Sequence, residues 1–221
     1  AITREKERSD ELLHNILPQE VAAELKATGR AEARHLDEVT VLFTDLKGFT
    51  EISEQLSPAD LVAELDTCFR AFDTIVAEHQ VEKIKTIGDA YMAAGGVPEA
   101  RKDSAADTVH AALAMQRFME ERYRERTALG LPAFRMRVGC HSGPVVAGIV
   151  GSRKFQYDIW GDTVNTASRM ESSGEVGKVN ISGATLTLLR ERSTDPFHYT
   201  ARGRVEAKGK GTLEMFFVSE G

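Results

Sequence analysis

Cysteine is scarce in this chain of 221 residues. The positions of the two cysteines argue against a disulfide-stabilised protein and against a cysteine-ligated metal site. Cys68 and Cys140 lie within apolar stretches and have neither the pattern of a disulfide framework nor the spacing of a metal site. We therefore expect two buried thiols in a reducing compartment, which favours the cytoplasm. No apolar run approaches the roughly 18 residues of a membrane-spanning helix, and no signal peptide opens the sequence, so we expect no membrane contact within this chain.

Positive charge is also in short supply. The chain carries 28 Lys and Arg against 34 Asp and Glu, a formal net charge of -6 at pH 7. It lacks the basic field on which non-specific nucleic-acid binding depends, so we expect no nucleic-acid partner. The chain is 42% hydrophobic, which is enough for one globular domain with a sizeable core behind an N-terminal extension.

Two helix-start signals occur in the middle of the chain. Ser57-Pro-Ala-Asp60 and Ser104-Ala-Ala-Asp107 both resemble capping boxes, and each precedes an apolar stripe at helical spacing. Strands are predicted before Asp45, on both sides of Gly88-Asp89, and near residues 134 to 141, 145 to 150, 178 to 181 and 212 to 218. The order β, α, β, β, α, β predicts an α/β (α+β) protein with a ferredoxin-like core and additional C-terminal strands and helices.

Two aspartates stand where strand-like runs end. Asp45 follows the run from Val39 to Phe43, and Asp89 follows Gly88 in a hairpin signal that also has a purely structural interpretation. If the two strands are neighbours, the carboxylates lie close together, which is unfavourable unless a cation lies between them. Oxygen ligands of this kind suit magnesium or manganese, which proteins often hold with one or two carboxylates plus substrate phosphates.

A third region, from Gln156 to Glu171, contains the next helix start. Gly161-Asp162 opens that helix, with Asp162 as the predicted N-cap. Asn165 and Arg169 are four residues apart and therefore share one helix face. From spacing alone, such a pair also fits an ordinary solvated face.

Four motifs together resemble those of the class III nucleotidyl cyclases. They occur in the family's order and spacing, as Phe43-Thr-Asp-Leu-Lys-Gly-Phe-Thr50, Lys85-Thr-Ile-Gly-Asp-Ala-Tyr91, Arg137-Val-Gly-Cys-His-Ser-Gly143 and Tyr157-Asp-Ile-Trp-Gly-Asp-Thr-Val-Asn-Thr-Ala-Ser-Arg169. The resemblance extends from about residue 38 to 218, and several ordered motifs are far more specific than one glycine motif. It implies cyclisation of a purine nucleoside triphosphate to the 3′,5′-cyclic monophosphate and pyrophosphate.

The resemblance also implies roles for individual residues. Asn165 orients the ribose and Arg169 stabilises the phosphoryl transition state, while two Mg²⁺ or Mn²⁺ ions serve as cofactors. The implied metal-binding residues are Asp45, Leu46 and Asp89, and the implied substrate-binding residues are Gly48, Phe49, Thr50, Lys85, Asp158 and Lys208. Lys210 is the alternative to Lys208 for the triphosphate. Some heterodimeric relatives have an Arg where this chain has Pro144, so that phosphate contact is absent or supplied elsewhere.

Within the resemblance, Lys85 and Asp158 occupy the two positions that read the base. Lysine only donates hydrogen bonds and ionised aspartate only accepts them, which suits N1 and the 6-amino group of adenine. Guanylyl cyclases of the family tend to have Glu and then Cys or Ser at these positions. The pair therefore predicts ATP as substrate, although Lys83, two residues earlier, would share the face of Lys85 if both were merely solvated.

The resemblance further implies a homodimer with two shared active sites, because this chain carries both the metal-binding and the transition-state residues. The sequence pattern of residues 1–35 differs from that of the rest of the chain. Within this segment, Leu12, Leu13, Ile16 and Leu17 precede Pro18. They resemble the signalling helix or coiled-coil connector that precedes cyclase domains, so we assign 36–221 to the catalytic domain and expect an upstream sensor in a larger signalling protein. A helix folded onto its own domain is the alternative for this segment.

Three functional hypotheses remain open on the sequence. Adenylyl cyclase leads, guanylyl cyclase is the near alternative, and a catalytically silent nucleotide-binding dimerisation module is the distant one.

Overall fold

The structure of the protein is a computed structural model, which describes residues 2–221. Its helices are α1 (Ile2–His14), α2 (Gln19–Thr28), α3 (Phe49–Ser53), α4 (Pro58–Glu78), α5 (Ser104–Ala128), α6 (Asp162–Ser172) and α7 (Gly183–Arg192). Its strands are β1 (Arg34–Lys47), β2 (Glu82–Ile87), β3 (Ala90–Gly95), β4 (Arg135–Val150), β5 (Gln156–Trp160), β6 (Val179–Ser182), β7 (Phe197–Ala207) and β8 (Gly211–Glu220). None of these helices combines the length and the apolar character that crossing a bilayer requires.

All strands belong to one sheet in the order β2-β3-β1-β4-β6-β8-β7, with β5 paired to β4. The pairs β2–β3, β3–β1 and β1–β4 are antiparallel. With α4 between β1 and β2, and α5 between β3 and β4, this is the predicted ferredoxin-like βαββαβ core. The additional strands and α7 follow it in the chain, so the predicted fold class is confirmed.

The start of α4 was predicted correctly, and that of α5 was not. Ser57 caps α4 and its Oγ accepts a hydrogen bond from the Asp60 N–H at 3.1 Å. In α5 the N-cap is Asp103, Ser104 is already helical, and no side chain caps the helix. Ser104 is buried because the start of α5 packs closely against the end of β3. A Cβ at Gly95 on that strand would lie 2.7 Å from the Ser104 carbonyl oxygen.

The two strands predicted at 134–141 and 145–150 form one continuous strand, β4. Pro144 lies between the two predicted strands, and proline has no N–H to donate to the ladder. In the structure, β1 shifts register between Leu36 and Val39, opposite Pro144. This bulge accommodates the missing donor, and β4 continues.

Helices cover both faces of the sheet. On one face α4, α5 and α7 enclose a core that contains both cysteines, which are buried and unpaired as expected. On the other face lie α6 and the N-terminal segment, where Leu17, Val21 and Ala22 are buried in a second core cluster. No described residue of α1 is buried. Leu17, Val21 and Ala22 therefore pack on the domain, whereas the division into a connector and a catalytic domain stays a prediction.

Glu82 on β2 is partly buried and lies within range of the charge of Glu20 on α2. Burial raises the pKa of Glu82 to about 7, and the Glu20 charge adds to the rise. A raised carboxyl pKa means that stability is present at low pH and is lost as the pH rises from about 4.5 through about 7.

Glu82→Gln is therefore expected to raise the free energy of unfolding by about 2 to 3 kcal/mol at pH 8, with most of that gain absent at pH 5. Urea unfolding at both pH values measures this. Glu121→Gln, the same change on an exposed helix position, is the control. An equal gain at both pH values would show that the charge of Glu82 is not the cause.

Candidate active site

Asp45 and Asp89 meet at one end of the sheet. Thr44 on β1 pairs with Tyr91 on β3, so Asp45 lies beside the β2–β3 turn that carries Asp89. The Leu46 backbone N–H donates a hydrogen bond to Asp89 Oδ2 at 3.2 Å. The predicted proximity of the two carboxylates is confirmed.

The electrostatics of this pair suit a cation. Burial first, and then the hydrogen bond and charge of Asp45, raise the pKa of Asp89 to about 6. Among residues 2–221 no group of three or more His, Cys, Asp or Glu is arranged to hold a metal unaided. Two carboxylates plus substrate phosphates are the usual protein environment of Mg²⁺, so these residues fit a metal that arrives with the nucleotide.

The stretch after β1 forms an open cavity of about 470 Å³, lined by residues 45–52 and Asp89. Gly48 has φ 68°, a left-handed conformation that favours glycine, and it turns the chain into α3. The Phe49 ring stacks on Phe134 with centroids 5.6 Å apart, so the ring belongs to the core. Thr50 is exposed, whereas the Leu46 side chain is buried. A leucine side chain has no ligand atom, so Leu46 has only its backbone oxygen to offer a metal.

The two predicted base-reading residues contact each other. Lys85 Nζ lies 2.7 Å from Asp158 Oδ2, and Asp158 Oδ1 accepts a hydrogen bond from the Ile159 N–H. A register shift between Lys83 and Lys85 places the two lysines on different faces of the sheet. Lys83 pairs with Asp73 on α4. The expectation that they share a face is wrong, and Lys85 is directed towards β5.

Close packing fixes the position of α6 on β4. A Cβ at Gly139 would lie 2.0 Å from the Glu171 backbone nitrogen, and one at Gly143 would lie 2.5 Å from Thr163 Oγ1. Glycine at these two positions lets the helix rest directly on the strand. On this helix Asn165 is exposed and Arg169 is half-buried, and neither side chain forms a hydrogen bond or ion pair within residues 2–221.

Asp162 is not the N-cap of α6. Gly161 occupies that position with φ 140°, no side chain caps the helix, and Asp162 is the first helical residue. Its carboxylate pairs with Lys210 Nζ from the β7–β8 turn. Lys210 is therefore engaged at the start of α6, whereas Lys208, the preferred triphosphate ligand, is exposed.

The structure gathers some of the predicted site residues in the carboxylate cavity of residues 45–52 and Asp89. Within the described part of the chain, that cavity is lined by none of the other predicted residues, which are Lys85, Asp158, Asn165, Arg169 and Lys208. Of these, Lys85 contacts Asp158, and Asn165 and Arg169 share α6. After their predicted roles, we call the two sets the metal half-site and the nucleotide half-site.

Sequence reasoning missed Arg137 and Glu171. Arg137 Nη2 lies 3.1 Å from Asp45 Oδ2 and 3.2 Å from Glu171 Oε1. Burial raises the pKa of Glu171 to about 7, and the Asp45 charge adds to this while Arg137 opposes it. Arg137 opens one of the four quoted motifs, which was the only available signal.

The sequence profile of a family described as "Adenylate and Guanylate cyclase catalytic domain" matches residues 31–220. This chain belongs to the class III nucleotidyl cyclase family. It is 43% identical over 215 residues to an adenylate cyclase of Mycobacterium tuberculosis and 41% identical over 215 residues to the human retinal guanylyl cyclase 2. Each match covers 97% of this chain, which spans 47% and 19% of the length of those cyclases.

Solved cyclase structures have the same fold. The guanylate cyclase domain of a Catenaria anguillulae protein, in complex with GTP, has a TM-score of 0.77 at 35% identity, covering 85% of this chain and 98% of that one. The adenylyl cyclase CyaB of P. aeruginosa has a TM-score of 0.78 at 28% identity, covering 86% and 97%. Both substrate classes are therefore represented among the relatives of this cyclase domain.

Proposed function

We propose that this cyclase domain converts ATP to 3′,5′-cyclic AMP and pyrophosphate. The observation that carries the proposal is the contact between Lys85 and Asp158, 2.7 Å apart at the meeting of β2 and β5. A donor and an acceptor placed side by side match N1 and the 6-amino group of adenine, and both would be mismatched to guanine. Asp158 is the more buried of the two side chains, with 12% exposed, so a mismatch there is the more unfavourable one.

Each half-site has a distinct task in the reaction. Asn165 and Arg169 project from one face of α6, where the amide orients the ribose and the guanidinium receives the charge that develops on the α-phosphoryl group. Lys208 and the backbone around Gly48 bind the triphosphate. Mg²⁺ or Mn²⁺ ions held by Asp45, Asp89 and the Leu46 carbonyl would activate the ribose 3′-hydroxyl and offset phosphate charge.

The active unit in this proposal is a homodimer. Within the described residues, the cavity of the metal half-site is lined by no residue of the nucleotide half-site, which supports an arrangement in which each half completes a site with the opposite half of the partner. A two-fold axis repeats every contact, so the dimer would contain two equivalent sites. We further propose that α1 connects the domain to a sensor in a longer protein, and that the domain, with its two free thiols, works in the cytoplasm.

Guanylyl cyclase activity is the second candidate, and the 41% identity to a retinal guanylyl cyclase favours it. One assay separates the two. Purified protein at several concentrations is incubated with ATP or GTP and with Mg²⁺ or Mn²⁺, and the nucleotides are then separated. Cyclic AMP whose yield per enzyme rises with protein concentration supports the proposal, cyclic GMP would overturn the base assignment, and absence of both products would contradict catalysis.

A further inference from the structure

Arg137 is the one cation that the structure places directly on a predicted metal ligand within residues 2–221. It lies on β4, paired in register with Asp45 on β1, and its Nη2 donates a hydrogen bond to Asp45 Oδ2 at 3.1 Å. The Arg137 side chain is 20% exposed and that of Asp45 is 31% exposed, so the contact is partly shielded from water. A guanidinium therefore already neutralises the carboxylate that a metal would need.

The Arg137 guanidinium also contacts the C-terminal end of α6. Nη2 lies 3.2 Å from Glu171 Oε1, and Nη1 donates to the Ser172 carbonyl oxygen at 3.3 Å. Both partners lie in the last turn of the helix that carries Asn165 and Arg169. Arg137 thus joins a residue of the metal half-site to the helix of the nucleotide half-site.

This network is incompletely satisfied. Arg137 Nε and Glu171 Oε1 are buried, and neither makes a hydrogen bond within the described residues. Glu171 and Asp45 therefore share one nitrogen, Nη2, in imperfect geometry. Buried polar atoms without hydrogen bonds are energetically unfavourable, so a new partner for any member of this network would be stabilising.

We propose that Arg137 is an internal counter-ion of the metal site, which holds the Asp45 carboxylate in position and yields it to the divalent ion that enters with the nucleotide. The inference rests on the proposed function, because Asp45 is a metal ligand only there. When the metal binds Asp45, the Arg137 guanidinium becomes free to pair fully with Glu171, whose Oε1 otherwise makes no hydrogen bond within the described residues. Arg137 is a positioning residue, since it acts through Asp45.

The test measures metal binding without turnover. The probe is Mn²⁺ with 3′-deoxy-ATP, which lacks the attacking hydroxyl, and bound Mn²⁺ is followed by electron paramagnetic resonance. Arg137→Gln removes the competing cation and is expected to tighten Mn²⁺ binding about 10-fold. The kcat for cyclisation is expected to fall about 10-fold, because Asp45 loses the group that orients it. Arg137→Lys retains the charge and is expected to return the Mn²⁺ affinity towards that of the wild type.

Two further variants keep the test decisive. Arg137→Gln leaves Glu171 unpaired and buried, so Arg137→Gln with Glu171→Gln, which removes both charges, replaces it if the single variant folds poorly. Arg135→Gln is the matched control, since Arg135 lies two residues earlier on β4 and its partner is the half-exposed Glu120. It is expected to leave Mn²⁺ affinity unchanged.

Tighter Mn²⁺ binding with reduced kcat supports the inference, because a purely structural role would weaken both. A folded Arg137→Gln variant, or the folded double variant with Glu171→Gln, whose Mn²⁺ affinity equals or falls below that of the wild type would overturn it. Asp89→Asn distinguishes this failure from failure of the metal site itself. If Asp89→Asn also leaves Mn²⁺ affinity unchanged, the proposed metal half-site is wrong. If it weakens binding while Arg137→Gln has no effect, only the role of Arg137 is lost.

Discussion

Arg169→Ala is expected to lower kcat roughly 10³-fold, with a much smaller change in KM. Arg169 has no partner among residues 2–221, it lies on the α6 face shared with Asn165, and it is half-buried. A guanidinium kept unpaired in this way is available to the phosphoryl group, whose charge redistributes only as the reaction proceeds. Its removal therefore affects the transition state more than the bound substrate, and steady-state kinetics with ATP measure the difference.

The control for this variant is Arg190→Ala. Arg190 is an exposed residue of α7 on the opposite face of the sheet, where its guanidinium lies 5.5 Å from the Tyr199 ring centroid. This control is expected to retain nearly full activity. If Arg169→Ala stays within about 10-fold of the wild-type kcat while remaining folded, Arg169 does not have the role that we propose.

The second large effect concerns the base. Lys85→Glu combined with Asp158→Cys is expected to shift the preference, as a ratio of kcat/KM values, from ATP towards GTP. Each unmatched buried polar group is unfavourable by about 1 to 3 kcal/mol, so two mismatches alter the ratio roughly 30-fold to 10⁴-fold. Competition between ATP and GTP in one reaction, with both cyclic products quantified, gives the ratio directly.

The ion pair in the structure explains why the double variant is the informative one. Lys85 and Asp158 neutralise each other at 2.7 Å, so either single substitution leaves a partly buried charge without its partner. Each single variant is therefore expected to lose activity with both nucleotides and to lose stability. A folded double variant that still prefers ATP would show that these two residues do not read the base.

Local signals predicted the elements that position both half-sites. Ser57 with Pro58 starts α4, the Gly88-Asp89 pair forms the β2–β3 turn, and the spacing of Asn165 and Arg169 places both on α6. These features depend on hydrogen bonds and φ preferences among neighbouring residues, which the sequence displays directly. The closeness of Asp45 and Asp89 followed from them once their two strands were taken as neighbours.

The errors arose where distant contacts override local preference. Asp162 has the chemistry of an N-cap, but Lys210, far along the chain, binds its carboxylate. Lys83 and Lys85 have strand spacing, but a bulge sends them to different partners. The contacts of Arg137 with Asp45 and Glu171 span 92 and 34 positions of the chain, and no local pattern reports such pairings.

A mixing experiment tests the central claim, an ATP cyclase whose two half-sites belong to different protomers, most directly. Asp89→Asn disables the metal half-site and Arg169→Ala disables the nucleotide half-site, so each variant alone is expected to be nearly inactive. Mixed in equal amounts and allowed to exchange subunits, they form mixed dimers with one intact site each, and cyclic AMP formation should recover to about a quarter of the wild-type rate. A mixture no more active than the sum of its two components, with subunit exchange verified, would contradict the shared site.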